Sequence, residues 1–236
     1  MTRSLAPLIA LATRTESLSD QLVRSIAHRP LPGAATKVGL ILASCLANDL
    51  RASFILSQLG YGLQAMSAAA NVLETAGALS YVGRSETRAL AWARHTDKKH
   101  TYPQYVQQGI DATLTALGIS DPAARTQWYD DYRVLCMAKH TNPHLSMWQG
   151  MLMDDEGAQY VQGPDATPTG VFLAAEALYY SLIFGTAGAI SAASLCREGE
   201  DQNQVRAEAV DINNEIDSLQ TWYLDLAKSA HAHPPA

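Results

Sequence analysis

The 236-residue sequence has few cysteines and no excess of positive charge. Its three cysteines, Cys45, Cys136 and Cys196, lie in apolar stretches without a close pair, so the sequence encodes neither a disulfide framework nor a paired-cysteine zinc site. Acidic residues outnumber basic ones by 23 to 17, which gives a formal net charge of −6. Because a dedicated DNA-binding surface concentrates Lys and Arg, we expect no DNA partner.

Several motifs that carry known chemistry are also absent from the sequence. It contains no Walker A loop, no Gly-x-Gly-x-x-Gly, no Gly-x-Ser-x-Gly and no Ser-x-x-Lys, which excludes nucleotide-loop, dinucleotide, α/β-hydrolase and β-lactamase functions. It also lacks His-Glu-x-x-His and Glu-x-x-His, the signatures of zinc proteases and of di-iron helical bundles. We therefore expect no cofactor.

What the sequence does contain is apolar residues, 47% of the chain, with alanine at 38 positions. Their spacing is helical almost throughout, which predicts an all-α fold: a single multi-helix bundle of seven to nine helices. One irregular Gly/Pro-rich loop, from Asp154 to Thr169, interrupts the pattern, and within it residues 158–162 are compatible with a short ribbon or an ordered loop. We expect one domain over residues 1–230 and a flexible tail over 231–236.

Start and stop signals such as Pro122 and Gly118 refine the helix boundaries. The predicted helices are Leu5–His28, about Ala34–Gln58, about Tyr61–Val82, a short one from the N-cap Ser85 to about His95, Pro103 to about Leu117, Pro122 to about Thr141, His144 to about Met153 as one helix or half of one, Val171–Cys196 and about Gln202–Ser229.

The segment Ala177–Cys196 contains twenty residues without a charge, the length that a bilayer span requires. It is rich in Ser, Thr, Gly and Tyr, and Glu176 precedes it where a membrane span would favour a basic anchor. A central helix buried on all sides explains the same composition. We therefore expect a core helix, no membrane association and a cytoplasmic location.

Four histidines fall in two short clusters, His95 with His100 and His140 with His144. Clustered imidazoles suggest a metal site, because neutral histidine is a common nitrogen ligand. The spacing matches no established ligand pattern, however, and Pro143 interrupts the helix that would place His140 and His144 on one face. We expect polar helix ends without a metal, and retain His95 and His144 as candidate binding residues.

Arg133 and His140 form the principal candidate catalytic pair, because they are seven positions apart on one predicted helix and therefore lie on nearly the same face. A guanidinium can hold a phosphate while an imidazole moves a proton, which is the minimal equipment for phosphodiester chemistry. Arg88 and His95 repeat this spacing on an earlier helix. The structural alternative is that Asp130 pairs with Arg133 on the helix surface.

Two family resemblances arise at these residues. The segment from Tyr132 to His140 resembles the Tyr-x-x-Leu-Ser/Cys-x-x-x-His signature of an all-helical bacterial family classed as a domain of unknown function. The stretch around Asn71-Val-Leu-Glu74 is similar to that family's Arg-x-x-x-Glu helix, with Asn71 in place of the arginine. The similar stretches cover about Leu59 to Pro143.

Arg133 with His140 also resembles the Arg-x(4 to 6)-His pattern of HEPN ribonucleases, which are helical and commonly dimerise. Val134 departs from this pattern, because those enzymes often have a polar residue there. The resemblance implies a metal-independent ribonuclease with Arg133 and His140 in its site, RNA as substrate and a homodimer. Glu74 is a third site candidate, since an acid in a small-residue helix needs a basic partner such as Arg133 or a histidine.

The sequence thus leaves three functions open. The first is a HEPN-like ribonuclease, the second a non-catalytic helical binding or regulatory module, and the third a metal site formed by the histidine clusters.

Overall fold

The computed structural model describes residues 5–28, 33–83, 85–94, 102–140, 151–154, 157–160, 164–196 and 199–232. Within these residues the helices are α1 Ala6–Ala27, α2 Ala34–Gln58, α3 Gly62–Val82, α4 Glu86–Ala93, α5 Tyr102–Ala116, α6 Pro122–Lys139, α7 Pro168–Ala192, α8 Glu200–Ser218 and α9 Gln220–Ala232. A 3₁₀ turn, Ala193–Leu195, follows α7. Two short strands, β1 Met151–Asp154 and β2 Gly157–Tyr160, pair antiparallel. The predicted all-α bundle is confirmed.

Local signals place most helix ends where the sequence predicts them. Ser85 caps α4 by accepting a hydrogen bond from the Arg88 N–H, and Asp121 caps α6 by accepting one from the Ala123 N–H at 2.9 Å. Gly118 follows α5 with a φ of 74°, a left-handed conformation that glycine adopts without a steric penalty. These ends are set by residues close in sequence, so reading the sequence finds them.

Two predicted helices differ in the structure. The predicted helix His144–Met153 is wrong at its end, because residues 151–153 belong to β1 and pair with β2 just downstream; its first seven residues lie outside the described residues. The predicted helix Gln202–Ser229 is two helices. The break is at Leu219, whose N–H donates to the Ile216 carbonyl three residues earlier and so forms a tight turn. The helical spacing of apolar residues continues across this turn, so the spacing does not reveal the break.

Helix α7 lies at the centre of the bundle, as the sequence predicts. It packs against α1, α2, α3, α8 and α9, and it has buried residues on every face. Small residues permit this packing: a Cβ placed on Gly188 would lie 2.9 Å from side-chain atoms of Ala76 and Leu46. Helices α3 and α5 cross equally closely, since a Cβ on Gly77 would lie 3.1 Å from the backbone of Gly109.

Two described helical segments are long and apolar enough to cross a membrane, Ala34–Gln58 and Pro168–Leu195, each with a mean hydropathy of 1.4 over its most apolar stretch. Length and composition alone do not distinguish a span from a core helix. Most of the Pro168–Leu195 segment is buried inside the bundle, whereas half of the most apolar stretch of Ala34–Gln58 is buried.

Candidate functional site

Helix α6 carries polar side chains toward two neighbours. One side faces α3, where Tyr132 and Lys139 contact acceptors on that helix. Another side faces α7, where Asp131 meets Tyr180. Because consecutive helical residues are 100° apart, the adjacent residues 131 and 132 can serve two different neighbours.

The first cluster consists of Glu74, Asn71, Tyr132 and Lys139. The Lys139 ammonium donates to both Glu74 oxygens at 2.9 and 3.0 Å and to Asn71 Oδ1 at 2.9 Å. The Tyr132 hydroxyl donates to Glu74 Oε1 at 3.0 Å. The Glu74 side chain is only 14% exposed, so the ammonium offsets a charge that burial would otherwise penalise.

A basic partner for Glu74, which the sequence predicts, is therefore present. Of the candidates named for it, Arg133 is wrong, and the histidines His95 and His144 lie outside the described residues. The partner is Lys139 rather than Arg133. Lys139 lies seven residues after Tyr132 and shares its face of α6, whereas Arg133 is rotated by about 100° from that face. Sequence spacing on α6 alone could not choose between them, because the choice depends on which side of α6 packs against α3.

Neighbouring groups extend this first cluster without adding a nucleophile. Thr75 Oγ1 donates to Asp49 Oδ2 at 2.8 Å, and burial nevertheless raises the pKa of Asp49. Burial likewise raises the pKa of the Cys136 thiol beside Tyr132. Because the thiolate is the reactive form of cysteine, a raised pKa makes Cys136 a poor nucleophile. The cluster thus holds α6 against α3 through paired polar groups.

Arg133 and His140 lie apart from both clusters. The Arg133 side chain is 70% exposed, and its guanidinium lies 3.6 Å from Asp130, the surface pair that the sequence allowed as an alternative. His140 is exposed at the C-terminal cap of α6, where its N–H bonds the Cys136 carbonyl at 2.9 Å. His95 and His144, the other candidate binding residues, lie outside the described residues.

Of the second Arg/His pair, Arg88 and His95, the structure describes only Arg88. Its guanidinium lies over the Tyr81 ring, 4.2 Å from the centroid, and donates to the Tyr81 carbonyl at 3.2 Å. This cation–π contact and hydrogen bond hold Arg88 against α3. These two contacts give Arg88 a structural role. Its partner in the sequence pattern, His95, lies outside the described residues.

The second cluster on α6 was not predicted. We name it the acid–tyrosine cluster: Asp131 on α6, Glu176, Tyr179 and Tyr180 on α7, and Tyr223 on α9. Tyr180 donates its hydroxyl hydrogen to Asp131 Oδ1 at 3.2 Å, and the Gln127 amide donates to the same oxygen at 2.8 Å. The Tyr223 hydroxyl lies close enough to the Glu176 carboxylate to favour its ionised form.

The carboxyl of Glu176 lies deep among these helices, yet its side chain keeps partial contact with solvent. Burial, reinforced by the nearby negative charge of Asp131, raises the pKa of Glu176 to about 7, against the opposing effect of the Tyr223 hydroxyl. Burial also raises the pKa of Asp131, despite its bonds from Gln127 and Tyr180. The two acids therefore share a site that penalises their ionised forms.

Aromatic rings surround the two acids. Tyr179 stacks on Tyr223 with centroids 4.6 Å apart, and Tyr180 stacks on Phe184 at 5.8 Å. The pKa values of the Tyr180 and Tyr223 hydroxyls are raised, mainly by burial and secondly by the neighbouring carboxylates. Both hydroxyls therefore stay protonated and can act as hydrogen-bond donors. The cluster thus combines two acids, phenol donors and aromatic faces.

Within the described residues, the ion pairs of Lys, Arg and His involve neither Glu176 nor Asp131. The same residues contain no group of three or more His, Cys, Asp or Glu side chains arranged to hold a metal ion. The arrangement suits either a cation that offsets the two acids or a proton exchanged near neutral pH.

One feature of the sequence could have identified this cluster. Glu176 is the only charged residue between Pro168 and Cys196, and two tyrosines follow it by three and four residues, which places them next to it on one helix face. An isolated acid in an apolar helix is costly to bury and therefore indicates a specific role. Tyr223 and Asp131, by contrast, are brought to it only by tertiary packing.

Comparison with known proteins gives no relative: no family model, no curated protein and no solved structure matches the chain.

Proposed function

We propose that the protein is a helical binding module and that the acid–tyrosine cluster holds a positively charged amine group of its ligand. The observation that carries the proposal is the position of Glu176: deep in the bundle, partly open to solvent, beside a second acid and without a basic partner among the described residues. A carboxylate in that position gains most from a cation supplied by a ligand.

The surrounding groups favour an organic ammonium ion over a metal. Two carboxylates provide fewer ligands than a calcium ion takes, which is six to eight oxygens. Aromatic faces such as those of Tyr179 and Tyr180 attract ammonium groups, and aromatic rings combined with acids are a common means of recognising amines. Tyr179, Tyr180 and Tyr223, the tyrosines that neighbour Glu176, are each partly exposed.

The proposal is tested by titrating the purified protein with putrescine, spermidine and tetramethylammonium in an isothermal titration calorimeter. We expect at least one probe to bind at pH 8 and to bind less tightly at pH 5.5, where Glu176 is protonated. The variant Glu176→Gln keeps the side-chain shape and a hydrogen-bond acceptor but removes the charge, and we expect it to lose at least tenfold in affinity.

The matched control is Asp225→Asn, which removes an exposed acid from α9, the helix that carries Tyr223. It should bind the probes as the unmodified protein does. Equal affinities of Glu176→Gln and the unmodified protein, or no binding of any probe, would contradict the proposal. Circular dichroism of each variant ensures that a loss of binding does not reflect unfolding.

A ribonuclease that uses Arg133 and His140 is the second candidate. The observation that favours it is that both side chains are exposed and share one side of α6, about two turns apart, so a polymer could reach both. The guanidinium would hold a phosphate and the imidazole would move a proton of the attacking ribose hydroxyl. This chemistry requires no metal.

Cleavage of a fluorescent single-stranded RNA by the purified protein in EDTA tests this second candidate. We expect activity to fall at least a hundredfold in His140→Ala and Arg133→Ala, and to be unchanged in His28→Ala, which alters an exposed histidine at the end of α1. Absent activity, or activity that survives His140→Ala, removes the ribonuclease.

A further inference from the structure

A stripe of exposed residues with little charge runs along the outer face of α2. We name it the α2 stripe; its members, all exposed, are Ile41, Cys45, Asn48, Ala52 and Ile55 on the helix and Leu59 at its C-terminal cap. Ile41 and Ile55 are each 50% exposed and Leu59 is 55% exposed, which are high values for large apolar side chains. The opposite face of α2 carries a separate set of buried residues, including Leu42, Leu46 and Leu50.

The spacing along the α2 stripe is four, three, four, three and four residues. This is the a/d spacing of a coiled coil, in which apolar residues repeat every 3.5 positions and form a seam against another helix. A helix that only covers a core carries polar residues on its outer face. The core therefore accounts for the buried face of α2 and leaves the α2 stripe without a structural role.

We propose that the α2 stripe binds the α2 stripe of a second copy of this chain, with the two helices antiparallel. A seam with heptad spacing fits a helix with the same spacing, and the chain itself supplies one. With the two-fold axis near residue 50, Ile41 lies opposite Leu59 of the second copy, Cys45 opposite Ile55, and Asn48 opposite Ala52. Each pair joins an a position to a d position, as antiparallel coiled coils require.

The composition of the pairs supports this register. Large apolar residues meet large or medium ones at both ends, while Asn48 and Ala52 leave the centre narrow enough for the helices to approach. A single polar residue such as Asn48 in an otherwise apolar seam is a common way to fix the register of paired helices. The antiparallel arrangement also places opposite ends of the two helix dipoles together.

The charges beside the α2 stripe favour a second copy over a lipid surface. Only two basic residues occur on α2, Lys37 and Arg51. Arg51 is turned toward α1, where it lies 3.4 Å from Glu16 and 3.5 Å from Asp20. Helices that lie on membranes carry several free basic residues along their polar face, and α2 does not.

The size of the surface predicts a reversible dimer. From Ile41 to Leu59 the α2 stripe extends about 27 Å at 1.5 Å per residue, a single helix contact. Such a contact falls at the low end of specific interfaces, below roughly 1,200 Å² in total, where association is weak and transient. We therefore expect the dimer to dissociate on dilution through the micromolar range.

The first test measures molar mass by light scattering over a concentration series. We expect a dimer at high concentration for the unmodified protein and a monomer throughout for the double variant Ile41→Lys, Ile55→Lys, because the lysines would face apolar residues of the second copy. The matched control is Val210→Lys with Ile119→Lys, which adds the same charge at two exposed apolar positions outside α2 and should dimerise normally.

The second test reads the register directly by mild oxidation and mass spectrometry. In the proposed pairing, Ile55→Cys places a thiol opposite Cys45 of the second copy and should form that disulfide, whereas two Cys45 residues lie about 15 Å apart along the axis, too far to bridge. Ile119→Cys is the control. A Cys45–Cys45 bridge in the unmodified protein would overturn the antiparallel pairing.

Two other results would overturn the proposal as a whole. One is a protein that stays monomeric at all concentrations, or a dimer that the lysines do not weaken. The other is a monomer that cosediments with phosphatidylcholine vesicles through the α2 stripe, which would identify lipid as the occupant. These measurements do not depend on the acid–tyrosine cluster, so either proposal can fail alone.

Discussion

At the scale of single residues, the same type of side chain has different energetics in different surroundings. Glu74 is largely buried beside the Lys139 ammonium and the Tyr132 hydroxyl, which both donate to it, so its charge is offset within the fold. Glu176 is largely buried, with partial contact to solvent, beside another acid, so its charge is opposed. Asp130 is exposed, and water screens its pairing with Arg133. These differences lead to two measurable predictions.

We expect the stability of the protein to fall as pH rises from about 4.5 to about 7, and then to level. The folded pKa of Glu176, about 7, lies above the unfolded value near 4.5, so the folded state binds more protons in this window and loses relative stability as they leave. The variant Glu176→Gln should remove up to about 3 kcal/mol of this fall.

Urea unfolding at pH 5, 6, 7 and 8 measures this effect, with Asp225→Asn as the control that keeps the slope. The prediction fails if Glu176→Gln loses stability between pH 5 and 7 as steeply as the unmodified protein. The pKa of Asp131 is also raised, so a smaller residual fall is expected in the variant.

The Glu74–Lys139 pair should contribute more to stability than the Arg133–Asp130 pair on the same helix. In a double-mutant cycle with Glu74→Gln and Lys139→Met, we expect a coupling of about 1 to 3 kcal/mol, because each single change leaves a poorly hydrated polar group without its main partner. The matched cycle with Arg133→Ala and Asp130→Ala should give less than about 0.5 kcal/mol. Comparable coupling energies would contradict this distinction.

At the scale of helices, close approach depends on residues without side chains. Helices α3 and α5 cross where Gly77 faces Gly109, and a Cβ on Gly109 would lie 2.9 Å from the Gly77 backbone. The Gly77 atoms at this contact belong to the backbone, so they cannot rotate away as a flexible side chain could. The spacing between α3 and α5 is therefore fixed at this crossing.

We expect Gly109→Ala to destabilise the protein. Alanine favours a helix over glycine by about 1 kcal/mol, but overpacking a tight contact costs about 1 to 3 kcal/mol, so the net loss should be about 1 kcal/mol. Thermal unfolding followed by circular dichroism measures it. The control Gln107→Ala, at an exposed position on α5, should change stability little, and a stabilised Gly109→Ala would refute the tight crossing.

At the scale of the whole molecule, the described helices share one hydrophobic core. Buried residues of α1, α2, α3, α5, α6, α7 and α8 form a single cluster, and Trp128 and Trp222 pack against it from α6 and α9. The central position of α7 links the two ends of the chain, because both α1 and α9 pack against it.

This shared core predicts one cooperative unfolding transition. Urea unfolding measured by far-UV circular dichroism and by tryptophan fluorescence should give the same midpoint. The reason is that α6 and α9 cannot detach without exposing the hydrophobic cluster that the other helices share. Measurements at low protein concentration avoid any effect of the proposed dimer. Two separate midpoints would show that part of the bundle unfolds alone.

The sequence by itself determined most helix bounds, although not the strand β1 or the break between α8 and α9. Apolar spacing predicted α2 from about Ala34 to Gln58, and the structure has these bounds. Pro122 with its cap Asp121 marked the start of α6. Such signals act over three or four residues. The small residues of α3 and α7 also predicted their close packing. None of this required knowledge of which helices are neighbours.

Only the tertiary structure decided which polar groups meet. It paired Glu74 with Lys139, 65 residues away, and joined Asp131, Glu176 and Tyr223 from three helices. The rotation of α6 about its axis selects these partners, and that rotation depends on how α3 and α7 pack against it. Helix periodicity fixes which residues share a face, but only packing of the whole core fixes what each face meets.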